Sequence, residues 1–490
     1  MRHIFTLALL STSVALAQGL PPGFGGKKAE EGVNLGALGL LVDPAATSLR
    51  VRTVLEGSPA GAAGVRVGDE IVKAGGKALS AAPPGPALQL IAALEEAEAA
   101  KKKPAVTLTV KRDGSELEVE VPLQKLGAHA KSCPKGCKKC DAVIKAGLEW
   151  LARKQTGDGC FPTDLGGKTG KVVVTSLGGL AFMAAGASFQ AGGPLDKAVS
   201  YVMNNVGAAE KSPFGRMGGG GGGNWNQENW ELGYGLVFLA EVARKTRRAD
   251  VKAKCQELVK RIEQNQEASG GWAHGPGGPN ALGYLELEIV GNYLLLGLGA
   301  ARKLGLEVDE EKLEKALTWI EGTSPGDGGV GYSQRDGQRF GDPGRTAGAI
   351  LAFAALGQSK RPFFARMVGY FDQNRSKLRE GHVSPAMHLL AGAMASRLLG
   401  AKAWEAYIDE YRPVVMQQRR PDGSFCSMPT AETQSLRNDT DQTVGGCWLT
   451  ATYVLILALP EAELPFLLGG KDDAKGKSEP KPRVKTGAGA

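Results

Sequence analysis

Two modules are expected from this chain: a small α+β domain followed by an all-α toroid of six helix pairs. Three observations predict the toroid. Helix-period stretches alternate between amphipathic and almost wholly apolar. Four of them end in a similar turn phrase, at Gln155–Phe161, Gln266–Trp272, Ser324–Tyr332 and Gln418–Phe425. Those starts fit a repeating unit of about 50 to 55 residues, a length typical of repeats that bury an apolar face against their neighbours.

The amphipathic stretches are expected at about 140–154, 194–206, 249–266, 308–322, 361–378 and 402–418. The apolar ones are expected at about 173–188, 227–246, 280–303, 343–357, 383–399 and 440–458. A helix that is apolar all round is buried on every side, whereas a striped one faces water. Six of each describe an inner ring of helices inside an outer ring, an (α/α)6 barrel over residues 140–466.

The segment before residue 127 reads differently. It has none of the seven cysteines. Val106, Leu108 and Val110 alternate against Leu117, Val119 and Val121 across the turn Asp113-Gly114, a hairpin pattern. Ser58-Pro59 opens a short helix, and Pro86 to Ala100 has an amphipathic period. The run Gly57-Ser58-Pro59-Ala60, then Ala63-Gly64, Gly68-Asp69-Glu70-Ile71 and Gly75-Gly76, resembles the core of a PDZ domain, spanning residues 32–126. That resemblance implies a carboxylate-binding loop at Gly36 to Leu40. Leu38, Gly39 and Leu40 would then take the C-terminus of a peptide or protein partner, which adds a strand beside Leu40 to Val42. The other role for the groove is a docking surface for the chain's own second module.

Residues 1–17 have the pattern of a cleaved export signal: Arg2 and His3, an apolar run from Ile4 to Leu10, and Ala15-Leu16-Ala17. An exported chain (periplasmic, cell-surface or secreted) without a transmembrane segment is expected. The net charge of +8 is spread thinly, with no basic helix interleaved with aromatics, so nucleic acid is not an expected partner. Residues 467–490 read as a disordered basic tail, and the run Gly218 to Gly223 as a flexible flap beside Trp225 and Trp230.

The toroid module resembles the QW-type repeats of terpene cyclases and protein prenyltransferases, through Leu148-Glu149-Trp150-Leu151 before Gln155 and Leu258 to Gln266 before Gly271-Trp272. In such a barrel the inner-helix N-termini converge on one mouth, where their dipoles favour anions. Candidate positions are therefore Thr175-Ser176, Asn226 to Tyr234, Asn280 to Glu286, Asp342 to Thr346, His382 to His388 and Asn438 to Thr443.

The run Asp439-Thr440-Asp441-Gln442-Thr443 resembles the acid motif of class II terpene cyclases, which implies an alkene-protonating role for Asp441. Gln442 stands where the family has a third acid, and rings make up only 6% of the chain. A helix N-cap by Asn438 or Asp439 accounts for the same residues. His382 at a helix start and Glu231 in an apolar stretch complete the catalytic candidates. Glu288 also interrupts an apolar helix and calls for a partner such as Arg345 or Arg335.

Between the modules, residues 127–139 form a Cys/Lys-rich linker. Cys133, Cys137 and Cys140, with Cys160 as a fourth, suit tetrahedral zinc, and suit disulfides or structural thiols of an exported chain as well. No cofactor is otherwise expected. The functional expectation is an exported interaction protein, with a PDZ module for C-termini and a toroid pocket for a ligand. The alternative is an enzyme at the toroid mouth, cleaving a polysaccharide or acting on a lipid in the cyclase manner.

Overall fold

The computed structural model describes residues 32–165, 167–208, 227–276, 287–335, 337–382, 384–430, 433 and 439–468. The expected export signal, the glycine run with Trp225, Asn280 to Glu286, Asn438 and the tail after 468 lie outside them.

Residues 33–122 build a seven-stranded antiparallel sheet. Its strands are β1 (Val33–Leu35), β2 (Leu40–Pro44), β3 (Leu49–Val54), β4 (Glu70–Ala74), β5 (Lys77–Ala78), β6 (Ala105–Arg112) and β7 (Ser115–Pro122). The order is β1-β2-β3-β4-β6-β7, with β5 beside β4. Period-two patterning turns Leu49, Val51, Val106, Leu108, Val110, Val119 and Val121 inward, and they form one core with Leu90, Ile91 and Leu94. Those three belong to α2 (Pro86–Glu98), while the one-turn α1 (Pro59–Ala62) is capped by Ser58, whose hydroxyl accepts from the Gly61 N–H.

The second module has the expected six helix pairs. Its outer helices are α3 (Lys138–Lys154), α5 (Pro194–Asn205), α7 (Ala249–Gln264), α9 (Glu310–Glu321), α11 (Pro362–Asn374) and α13 (Ala401–Gln418). The inner helices are α4 (Gly167–Ala184), α6 (Glu228–Thr246), α8 (Glu288–Lys303), α10 (Pro343–Ala355), α12 (Pro385–Leu399) and α15 (Gly446–Ala458). Each inner helix packs on the next, and α15 packs back on α4, so the ring closes. The first inner helix starts six residues earlier than the apolar pattern suggests, because polar Lys168 and Thr169 find a buried partner in Glu231. The last is broken: α14 (Thr440–Val444) is separated from α15 by Gly445, whose φ of +102° no continuous helix allows. A terminal helix, α16 (Pro465–Leu468), packs against α6, α8, α10 and α12 together and so lies across the C-terminal end of the inner ring. Buried Glu241 anchors it by accepting from the Phe466 and Leu467 N–H groups. No helix among the described residues is long and apolar enough to cross a membrane.

The repeated phrase has a common job. Gly159, Gly270, Gly328 and Gly423 all have φ between +93° and +100°. A Cβ on any of them would overlap the backbone of a neighbouring outer helix: at Lys197 on α5, Lys315 on α9, Arg366 on α11 and Ala146 on α3. Of the three glutamines that open phrases, two reach the same neighbours. Gln155 donates to Pro194 O and Gln266 to Lys312 O, each at 2.9 Å. On the inner side the phrase's backbone N–H groups at Phe161, Val330 and Phe425 donate to the hydroxyls of Thr175, Thr346 and Thr450. One turn therefore ties three helices, and the fourth copy closes the outer ring onto α3.

That fourth copy also carries the first module. Gly36 N–H donates to Gln417 O at 2.9 Å, the Gln417 amide to Asn34 O at 3.0 Å, and the Asn34 amide to Ser427 O at 2.9 Å. Beside them Glu98 at the end of α2 is buried between Arg419, at 2.5 Å, and Lys139, at 2.8 Å. A fully desolvated carboxylate with two cations from the other module is costly to break, because either loss strands a buried charge.

Candidate metal centre and toroid mouth

At the junction of the modules, His129, Cys133, Cys137 and Cys140 converge. One Nδ1 and three Sγ atoms lie within 4.8 Å of one another. Cys133 Sγ is 3.2 Å from both His129 Nδ1 and Cys140 Sγ, and His129 Nδ1 is 3.7 Å from Cys137 and 3.8 Å from Cys140. The three cysteines are buried free thiols. The other ring nitrogen of His129 is 2.9 Å from Glu95 Oε1 on α2, which fixes the ring. The cluster also shares charge internally. The hydrogen bond from Cys140 pushes the Cys133 thiol down, and the same contact with burial pushes Cys140 up. Burial opposes charge on His129, yet the Cys133 and Glu95 contacts hold it up at about 9.

This donor set can hold a metal ion, and it corrects one sequence expectation. Cys160 is not the fourth member. It lies in the first repeat turn, 3.0 Å from the Thr156 hydroxyl, tied there by the geometry of the phrase. The sequence reading passed over His129, although His-x3-Cys-x3-Cys-x2-Cys was its available signal.

At the mouth, successive inner-helix starts touch one another as a convergent barrel requires. Asp441 is fully buried and accepts three hydrogen bonds: from the Ser384 hydroxyl at 2.5 Å, the Ala386 N–H at 2.9 Å and the Trp448 indole at 2.9 Å. Burial, with Asp439 adding to it, pushes its carboxyl up to about 6. Asp439 is the N-cap of α14, accepting from Gln442 N–H at 2.9 Å. Glu231 accepts from Lys168 at 2.6 Å, Thr169 at 2.9 Å and Gly207 N–H at 2.9 Å, although burial raises its carboxyl. His382 is half-buried, edge-on to Tyr332 at 5.5 Å. The four catalytic candidates thus share one end of the toroid, but Asp439, Asp441 and Glu231 are each committed to holding chain segments together.

Other groups at the mouth stand in more suggestive positions. His388 Nδ1 lies 3.1 Å from Asp342 Oδ1, both at inner-helix starts. The neighbouring His388 and Arg345 hold the Asp342 carboxyl far below its usual range despite burial. Glu288 is fully buried near Arg345 and bonded to the Asn292 amide, and burial pushes its carboxyl well up. Arg345 stacks on Phe340 at 5.0 Å and on Tyr332 at 5.6 Å. Trp230, Tyr293, Tyr234 and Trp448 form a chain of ring contacts at 6.3, 4.3 and 6.0 Å.

The expected peptide slot differs from its resemblance. Leu38 and Leu40 are buried, and β1 pairs with β2 on the edge where a peptide strand was to add, matching Leu35 to Leu40 and Val33 to Val42. With β3 on the other side, both edges of β2 are used. In the loop, the N–H groups of Leu38 and Gly39 donate to Leu35 O, and that of Gly36 donates to the toroid.

Two family models match: a PDZ domain over residues 36–123, and a domain described as "Domain of unknown function (DUF6288)" over residues 140–469. The chain belongs to the DUF6288 family. Among solved structures, this DUF6288 chain is similar to an inactive variant of the alpha-1,6-mannanase GH76A of Salegentibacter sp. HEL1_6, with 11% identity over 66% of this chain and 99% of that one, at a TM-score of 0.49. A family 76 glycoside hydrolase from a bovine Bacteroides thetaiotaomicron strain has 10% identity over 73% and 84%, with a TM-score of 0.47. A variant of the type II terpene cyclase MstE from Scytonema has 14% identity over 67% and 98%, with a TM-score of 0.40. No curated protein matches the chain. These likenesses concern the helical toroid, and the DUF6288 mouth is read from its own residues.

Proposed function

We propose that the chain is an exported interaction protein whose binding surface is the mouth of the toroid, with its PDZ module fastened to the toroid's flank. The observation that carries this reading is Phe340. Among the described residues of the toroid it is the exposed large apolar side chain, 58% accessible, and it sits on a polar rim over Arg345 beside Tyr332 and His382. An exposed ring on a pre-ordered polar rim is the informative kind of surface apolar group. It suits a ligand with one apolar face and several hydroxyl or anionic groups, as a sugar ring has. The helix α16 lies across the opposite, C-terminal end of the inner helices.

Titration with oligosaccharides, followed by calorimetry, tests this. Phe340→Ala is expected to weaken binding at least tenfold without changing the fold. Binding of a C-terminal peptide at β2, with oligosaccharides inert, would reject the reading.

The His388–Asp342 pair favours a second reading, an enzyme acting at this mouth. Asp342 orients an imidazole, and Glu288, kept protonated by burial, would be its acid counterpart. New reducing ends released from a polysaccharide, and abolished in His388→Ala, would select that reading over simple binding.

A further inference from the structure

We propose that His129, Cys133, Cys137 and Cys140 hold one zinc ion, and that this ion pins the linker between the PDZ helix α2 and the first outer helix of the toroid. Tetrahedral zinc with thiolate bonds of about 2.3 Å places ligand atoms about 3.8 Å apart. The observed separations of 3.2 to 3.8 Å approach that cage, and the 4.8 Å limit on every pair leaves room for a single ion. A Cys3His set is a soft, closed donor set of the kind that structural zinc takes.

The surroundings are those of a built site. Glu95 Oε1 accepts from His129 Nε2 and holds the ring with Nδ1 facing the sulfurs, so that loss of the Nδ1 proton on metal entry gives a ligating lone pair. The Ala130 N–H points at Cys137 Sγ at 3.4 Å, a donor suited to a thiolate. The cysteines are 7%, 0% and 0% exposed, so the three sulfurs are shielded from water. Zinc entry displaces three protons to solvent, two from thiols and one held by the His129–Cys133 pair, and gives a centre of net charge −1.

Position gives the site its role. Cys137 is the N-cap and Cys140 lies in the first turn of α3, so two ligands belong to the toroid. His129 is tied through Glu95 to α2, one turn before Glu98, which pairs with Lys139 and Arg419. The ion therefore fixes the linker at the point where the two modules already share their buried ion pairs. In an oxidising compartment it would also protect three adjacent thiols from disulfide formation.

The test is metal analysis of the full chain after zinc loading under reducing conditions and gel filtration. About one zinc per chain is expected, and cobalt substitution should give thiolate charge-transfer bands with tetrahedral ligand-field bands. Cys140→Ser and His129→Ala should weaken zinc binding tenfold or more, while Cys160→Ser keeps it. Glu95→Gln retains all four ligands and should weaken binding about 10–100-fold, the range for a lost outer-shell partner. The cobalt spectrum of the unmutated chain keeps the proposal testable if a ligand variant does not fold. A chain that retains no zinc, a disulfide among the three cysteines in the loaded protein, a different metal in stoichiometric amount, or equal losses in Cys160→Ser and Cys140→Ser would each overturn it.

Discussion

Asp441 is the residue where the sequence's sharpest motif meets the structure's clearest geometry. A general acid must offer its proton to a substrate, yet Asp441 accepts from three donors on α12, its cap and α15. Removing it in Asp441→Ala strands all three, with an expected loss of about 3–5 kcal/mol in urea unfolding. Its charge has a separate signature. With a folded value of about 6 against an ordinary 3.8, native Asp441 keeps a proton that the unfolded chain loses as pH rises from about 4 to 6. The ionised group therefore costs stability above that window, about 3 kcal/mol at neutral pH, and costs none below about pH 4. Asp441→Asn removes this term, so its stability relative to wild type should improve as pH rises from 4 to 6. Unfolding free energies across that range check the sign. The motif was legible in the sequence. Its use as an acceptor was not, because two of its donors, Ser384 and Ala386, lie more than fifty residues earlier in the chain.

At the scale of elements, the repeat turn decides how helices meet. Its four glycines combine left-handed backbone with a neighbouring backbone at overlap distance, so Gly159→Ala, Gly270→Ala, Gly328→Ala and Gly423→Ala should each cost about 2–4 kcal/mol. Gly186 and Gly305 share the positive φ but face open space, and alanine there should cost only about 1–2 kcal/mol. Chemical denaturation of the six variants separates backbone strain from helix docking. The twelve helices were readable because inner and outer helices bury different fractions of their surface, which composition records directly. The break at Gly445 and the early start of α4 were not, since both depend on partners supplied by tertiary contact.

For the whole molecule, the two modules form one body. Resemblance gave a PDZ domain in the first module, and the PDZ family model matches residues 36–123. It could not give the state of the groove, because β1 on the edge of β2 and Gln417 on the Gly36 N–H are pairings between backbones, with no side-chain signature. The cluster of cysteines was visible, and its fourth donor, His129, stands at a readable spacing before them, while the Glu95 contact that fixes its ring comes only from the fold. Hydrogen exchange on the intact, metal-loaded chain tests the one-body claim most directly. The Gly36 amide and the amides of Leu40 to Val42 should exchange at least a hundredfold more slowly than in an unstructured peptide. Chelation should accelerate Gly36 while the inner helices stay protected. Exchange of Gly36 at the unprotected rate in the metal-loaded chain would contradict the docked arrangement.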